Sequence, residues 1–217
     1  MIDDLRYERK WVFDNVDPIT LLSNLINSSL HFQEQYEQRT VNSIYYDYGS
    51  LKSARDNLDG TLNRKKYRVR WYGENADIFI KPILECKIRY NFYGKKEYFK
   101  IKNFDNKIFN EKNLSALSQN INKIIQHKNL LPISSTHYKR IYLISSNSLI
   151  RATLDYNIRY KKIMNHIEDF YISSRDTVLE IKYPTNLDSY LRGQLKGITR
   201  FSKNSKYLNS LLNSNFN

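Results

Sequence analysis

Arg68 and Arg70 stand two apart in YRVRWYG, the stretch from Tyr67 to Gly73, with Val69 and Trp71 on the other parity. Successive side chains of a strand point to opposite faces, so the two guanidinium groups share one face and Val69 and Trp71 share the other. The alternation recurs along the chain. Glu85, Lys87 and Arg89 interleave with Leu84, Cys86 and Ile88, and Glu180 and Lys182 with Leu179, Ile181 and Tyr183. Arg151, Thr153, Asp155, Asn157 and Arg159 interleave with Ile150, Ala152, Leu154, Tyr156 and Ile158, and near the start Arg6, Glu8 and Lys10 share a parity. Guanidinium forks and ammonium groups suit phosphate oxygens. A glutamate among them can hold a divalent cation that completes its shell with water and phosphate oxygen. Phosphoryl chemistry of this kind rests on positioning and charge neutralisation and needs no protein nucleophile.

The elements that would carry these residues follow from pattern. Arg6 to Phe13 reads as a strand. Asp17-Pro18 supplies an N-cap and a proline at the first helical position, and Ile19 to Leu30 is apolar at helical spacing. Thr40–Tyr48, Lys66–Tyr72, Ile78–Tyr90 and Lys96–Ile101 read as strands, with a turn at Tyr93-Gly94 and a short helix over Leu51–Leu58. Leu114–His127 has helical periodicity. Tyr138–Ser145 and Leu149–Tyr160 read as a hairpin and Thr177–Tyr183 as a short strand, and Leu187–Leu195 and Lys203–Leu212 as closing helices. The 217 residues, with 6 glycines and 4 prolines, show no internal boundary, which predicts a single domain over 1–217. The class is α+β on an antiparallel sheet of about eight strands. An open half-buried sheet gives the same alternation. The weight of Arg, Lys and Glu at the charged positions, with helices at hand to cover the apolar side, predicts instead a closed eight-stranded barrel. Its interior would be a charged tunnel, with the helices packed outside.

A net charge of +13 and a pI of 9.6 point to polyanionic partners. Cys86 is the one cysteine, which excludes an intramolecular disulfide and fits a reducing compartment. No apolar run of spanning length and no signal-peptide pattern is present, so the expected location is the cytoplasm, without a membrane span. Nucleic acid is not the expected partner, because the charge sits at strand parity rather than on a recognition helix or aromatic platform. His31, His127, His137 and His166 lack metal-ligand spacing. Cys86 and Trp71 lie on the apolar parity and read as packed core, and Lys161-Lys162 reads as a solvated loop.

RYERKW, SIYYD, YRVRWYG, LECK, GKK, LEIKY and RFSK occur in this order between Arg6 and about Lys206. As a set they resemble the VTC-type polyphosphate polymerase domain, a branch of the triphosphate tunnel metalloenzymes of the CYTH-like superfamily. The resemblance implies an eight-stranded tunnel whose basic residues bind the triphosphate of ATP or a polyphosphate chain. A glutamate from a late strand would bind Mn²⁺ or Mg²⁺. It implies a phosphotransferase that moves the terminal phosphoryl group of ATP onto growing polyphosphate. A hydrolase of triphosphate or nucleoside triphosphates and a non-catalytic polyphosphate-binding module remain open beside it.

Carried over by motif, Lys10, Arg68, Arg70, Lys87, Lys96, Arg140, Arg151, Lys182 and Lys203 would bind phosphate. Arg68, Arg70, Lys87, Arg140, Arg151 and Glu180 would form the catalytic set. Glu180 would hold the metal, with Glu8 as a second candidate ligand or a counter-ion for Arg6 and Lys10. The wider superfamily opens with two alternating glutamates and a lysine. Here Arg6 stands in place of the first glutamate, which argues against a two-metal triphosphatase. The sequence is also expected to hold no counterpart of the regulatory N-terminal domain and membrane segments of eukaryotic relatives. The sequence leaves open the preferred nucleotide, the chain length, the oligomeric state and any membrane-associated partner.

Overall fold

The structure, a computed structural model, describes residues 6–91, 93–126, 129–163, 167, 170–194, 202 and 204–212. Its strands, in chain order, are β1 (Arg6–Asp14), β2 (Gln33–Tyr48), β3 (Arg64–Tyr72), β4 (Ile78–Phe79), β5 (Ile83–Tyr90), β6 (Tyr93–Lys100), β7 (Lys107–Ile108), β8 (Leu130–Ile144), β9 (Arg151–Lys162), β10 (Ile172–Ser173) and β11 (Asp176–Pro184). The helices are α1 (Pro18–Ile26), α2 (Lys52–Leu58), α3 (Glu111–Ile124), α4 (Asp188–Gln194) and α5 (Lys206–Leu212). The main sheet has the order β1-β11-β9-β8-β2-β3-β5-β6, with β10 on β9, and β4 and β7 form a separate pair.

The antiparallel sheet with helices is as the sequence predicts. The closed barrel is not. The path begins at β1 and ends at β6, and among the described residues no ladder joins those two edges. Alternation specifies which face of each strand is apolar, but closure needs the first and last strands to pair. The edge strand β6 carries Lys95, Lys96 and Lys100, and charges on an edge discourage further pairing.

By Cα proximity the chain forms two compact parts. The first comprises residues 1–39, 138–158 and 173–205, and the second residues 40–137, 159–172 and 206–217. In the first, the apolar parity of β1, β9 and β11 (Trp11, Ala152, Leu154, Leu179 and Ile181) packs with Leu25 of α1 and Leu191 of α4. Asp17 caps α1 by accepting from the Thr20 amide at 2.9 Å, with Pro18 in the first turn. In the second, Leu114, Leu117 and Ile121 of α3 cover Val69, Trp71, Leu84 and Cys86. Cys86 and Trp71 are core residues, as their parity predicts, and Trp71 meets Phe79 edge-on with centroids 4.9 Å apart. A smaller cluster joins Tyr45 and Ile133 to Ala54 of α2 and Tyr207 of α5.

Several boundaries differ from the sequence reading for local reasons. The long strand over Ile78–Tyr90 is two strands, parted at Lys81, whose φ is +42°, and at Pro82, which has no N–H for a ladder. The turn before β6 uses Asn91, φ +52°, and Tyr93 and Gly94 belong to the strand; asparagine tolerates the left-handed region. The first helix stops at Ile26, although Leu30 beyond it is still buried. Lys161 and Lys162 are not in a loop. They end β9, and Lys161 is buried with its Nζ 4.5 Å from the Tyr171 ring centroid.

Candidate functional site

In the first part, β1, β11 and β9 bring one network together. Lys10 lies opposite Glu180, Glu8 opposite Lys182, Thr153 opposite Glu180, and Arg151 opposite Lys182. Residues directly opposite share a face, so two glutamates and two lysines alternate like a checkerboard. Lys10 Nζ lies 3.2 Å from Glu8 and 3.1 Å from Glu180, and Lys182 Nζ lies 2.6 Å from Glu180 and 3.8 Å from Glu8. Burial alone would raise the Glu180 pKa. Lys10, Lys182 and Arg140 outweigh it and hold the carboxyl well below the usual range. Burial likewise opposes the charge on Lys10, and Glu180 and Glu8 reverse that and raise its pKa. Lys10 Nζ also donates to the Asn204 carbonyl at 3.4 Å.

Arg140 of β8 is held in a two-point fork by Asp155, Nε to Oδ1 at 2.5 Å and Nη2 to Oδ2 at 2.7 Å. The Asp155 side chain is only 2% exposed. A buried carboxylate with a two-point fork to an arginine fixes the orientation of that guanidinium. Arg151 shares the face but is exposed at its end, with no ion pair among the described residues.

In the second part the face of Arg68 and Arg70 extends across three strands. Register places Arg64 opposite Arg89, Lys66 opposite Lys87, Arg68 opposite Glu85 and Arg70 opposite Ile83. Across the next ladder Lys87 faces Lys96, Glu85 faces Tyr98 and Ile83 faces Lys100. Lys66, Lys87 and Lys96 therefore form a row of ammonium side chains on strands ~4.8 Å apart. Four cations on β3, two on β5 and two on β6 share this face with a single carboxylate, Glu85. Glu85 accepts from Arg68 Nε at 2.7 Å and Nη2 at 2.5 Å, and lies 3.9 Å from Arg70. Burial would raise its pKa, and Arg68, Arg70 and Lys96 win and lower it. Arg70, 8% exposed, donates from Nε to the buried Ser43 hydroxyl at 3.3 Å. Lys87 and Lys96 are exposed.

The sequence-predicted residues thus fall into two groups. Lys10, Arg140, Arg151, Glu180 and Lys182, with Glu8, belong to the first part, and Arg68, Arg70, Lys87 and Lys96 to the second. Lys203, His127 and His166 lie outside the described residues. His137 is buried, with Nδ1 2.7 Å from Asn42 Oδ1, and His31 is exposed. Sequence reasoning missed Lys66, Arg64 and Lys100, although Arg64 and Lys66 continue the parity of Arg68. It also missed Asp155 as the partner of Arg140, which only the pairing of strands reveals.

Among the described residues no cluster of three or more His, Cys, Asp or Glu could hold a metal by itself. The oxygen donors around Glu180 still fit a hard divalent cation that takes most of its shell from substrate and water. Glu180 and Glu8 supply carboxylates. The buried Thr153 Oγ1, on the strand position facing Glu180, has no hydrogen-bond partner among the described residues.

The profile of the VTC domain matches residues 5–215. This chain belongs to the VTC domain family. Among solved structures, the VTC chain is similar to the PH1819 protein of Pyrococcus horikoshii OT3, with TM-score 0.50 and 15% identity over 96% of this chain and 99% of that one. It is similar also to a candidate adenylate cyclase from Vibrio parahaemolyticus, with TM-score 0.50 and 12% identity over 97% and 99%. At these identities the likeness shows a shared fold. No curated protein matches the VTC chain. Among its described residues no helix is long and apolar enough to cross a membrane.

Proposed function

We propose that this VTC domain is a metal-dependent polyphosphate polymerase that transfers the terminal phosphoryl group of ATP to a growing polyphosphate chain. The observation that carries the reading is the face of β3, β5 and β6, where eight cations meet one carboxylate. Like charges directly opposite on neighbouring strands destabilise a sheet. A chain of closely spaced phosphates would offset that cost along the whole row. Arg68, Arg70, Lys87 and Lys96 are the phosphate ligands we assign there.

Around Glu180 the chemistry would be phosphoryl transfer. A terminal phosphate oxygen of the acceptor attacks the γ-phosphorus in line, and the bond to the β–γ bridging oxygen breaks. ADP leaves with the electron pair. Lys10, Lys182, Arg140 and Arg151 neutralise charge on the phosphate oxygens, and Asp155 keeps the Arg140 fork aimed. Glu180, with Glu8 beside it, would hold Mn²⁺ or Mg²⁺, which supplies further neutralisation when bound. No side chain need act as nucleophile.

The test is incubation of the purified protein with ATP and Mn²⁺, with polyphosphate resolved on a gel and free phosphate measured in solution. A ladder with matching ADP is the expected result. Free phosphate without a ladder would make the protein a hydrolase. Neither product, even with a short polyphosphate primer, would leave a binding module.

A further inference from the structure

We infer that Tyr36, Tyr142 and Arg39 form a stacking platform for the base of a nucleoside triphosphate, an assignment that rests on the phosphate-binding reading of the Arg140 and Glu180 network. All of these residues belong to the first part of the chain. Tyr138, Arg140 and Tyr142 alternate on β8 and so share a face. The guanidinium of Arg140, fixed by Asp155, lies 5.3 Å from the Tyr138 ring centroid and 5.9 Å from that of Tyr142. Tyr142 meets Tyr36 of β2 edge-on, centroids 5.9 Å apart and planes at 82°. Arg39 stands 5.9 Å from the Tyr36 ring and 5.8 Å from the Tyr142 ring.

The sequence therefore runs from a phosphate-type cation to an aromatic pair within one continuous set of contacts. Tyr36 is 53% exposed, so much of its ring is open to solvent beside Tyr142. A partly open ring beside a guanidinium accepts a heteroaromatic base by stacking and cation–π attraction, without reading its hydrogen-bonding edge. The same side chains could hold the sheet together and nothing more, in which case they would not distinguish a nucleotide from a bare phosphate chain. A base platform predicts that distinction, and it predicts weak preference among bases, because every base offers a π-face.

The experiment measures the affinities of the full chain for ATP, GTP and inorganic tripolyphosphate by titration calorimetry with Mg²⁺. It compares the wild type with Tyr36→Ala and Tyr36→Phe. Tyr36→Ala should lower the ATP-to-tripolyphosphate affinity ratio by roughly tenfold, and the GTP ratio alike. Tyr36→Phe, which keeps the ring, should hold both ratios near wild type. Binding of all three ligands with ratios unmoved by Tyr36→Ala would overturn the platform and leave the phosphate reading standing. No binding of any ligand by the wild type would overturn that reading and the platform with it.

Discussion

Around Glu180, four cations (Lys10, Arg140, Arg151 and Lys182) accompany Glu8, Asp155 and Glu180, whereas on β3, β5 and β6 eight cations share one face with Glu85. In the first group Lys10, Lys182 and Arg140 each have a carboxylate within ion-pair distance, and burial tightens those pairs. Such a network fixes side chains in place before any ligand arrives. In the second group the same-face cations on β3, β5 and β6 outnumber the carboxylate on those strands, and a surplus of one sign attracts anions. Precise placement and accumulated charge are different tools, and each suits a different part of handling a charged polymer.

The comparison is most sharply tested at Glu180. Glu180→Gln removes the anion that Lys10 and Lys182 share, and metal-dependent turnover should fall by ~10²-fold or more; unchanged turnover would end its assigned role. The same variant tests the electrostatics. The Glu180 pKa lies below its ordinary 4.5 in the folded state, so the unfolded chain takes up that proton first as pH falls. Its stabilisation is complete above 4.5 and is lost as pH drops through the depressed value. Lys10, raised above its ordinary 10.5, contributes in full below that value and loses its contribution only as pH rises through the raised one. Melting temperature against pH should therefore show a shallower acid limb in Glu180→Gln than in the wild type.

Asp155→Asn should be the next largest effect, and on stability. It leaves the Arg140 guanidinium, 16% exposed, without its carboxylate, at a cost of roughly 3–5 kcal/mol in chemical denaturation. A loss below about 1 kcal/mol would show that the fork contributes little. The smallest effect should have the opposite sign. Lys87→Glu interrupts the Lys66–Lys87–Lys96 row, so the melting temperature should rise by roughly 1–3 °C while affinity for polyphosphate falls. A drop in both would mean that the row is not under repulsion.

Strand parity made much of this legible. The shared face of Arg68 and Arg70, the core positions of Trp71 and Cys86, and the Asp17-Pro18 helix start all follow from local rules and stand in the structure. Local rules could not say whether the sheet closes, since β1 and β6 obey the same alternation whether or not they meet. Nor could they anticipate that Gln33–Gln38 extends β2, because that segment is mostly exposed and polar at both parities. The Asp155–Arg140 fork and the lysine row are pairings between strands, and register is information that a single strand does not contain. Lys161 misleads for a related reason: two adjacent lysines usually mark solvent, yet the Tyr171 and Phe109 rings give one of them an aromatic lining.

Asp47 also ties the order of synthesis to the fold. The helix α2 has no side-chain cap of its own. The buried Asp47 carboxylate accepts from the Ser53 and Ala54 amides at 2.9 and 3.0 Å and from the Tyr207 hydroxyl at 2.6 Å. The amides emerge from the ribosome within moments of Asp47, but Tyr207 follows 160 residues later. At ordinary translation speeds that is roughly ten to thirty seconds during which this carboxylate waits for its last donor. Until α5 is made, Tyr45 and Ile133 lack the Tyr207 side chain that packs with them, its ring stacked on Tyr45 with centroids 5.2 Å apart.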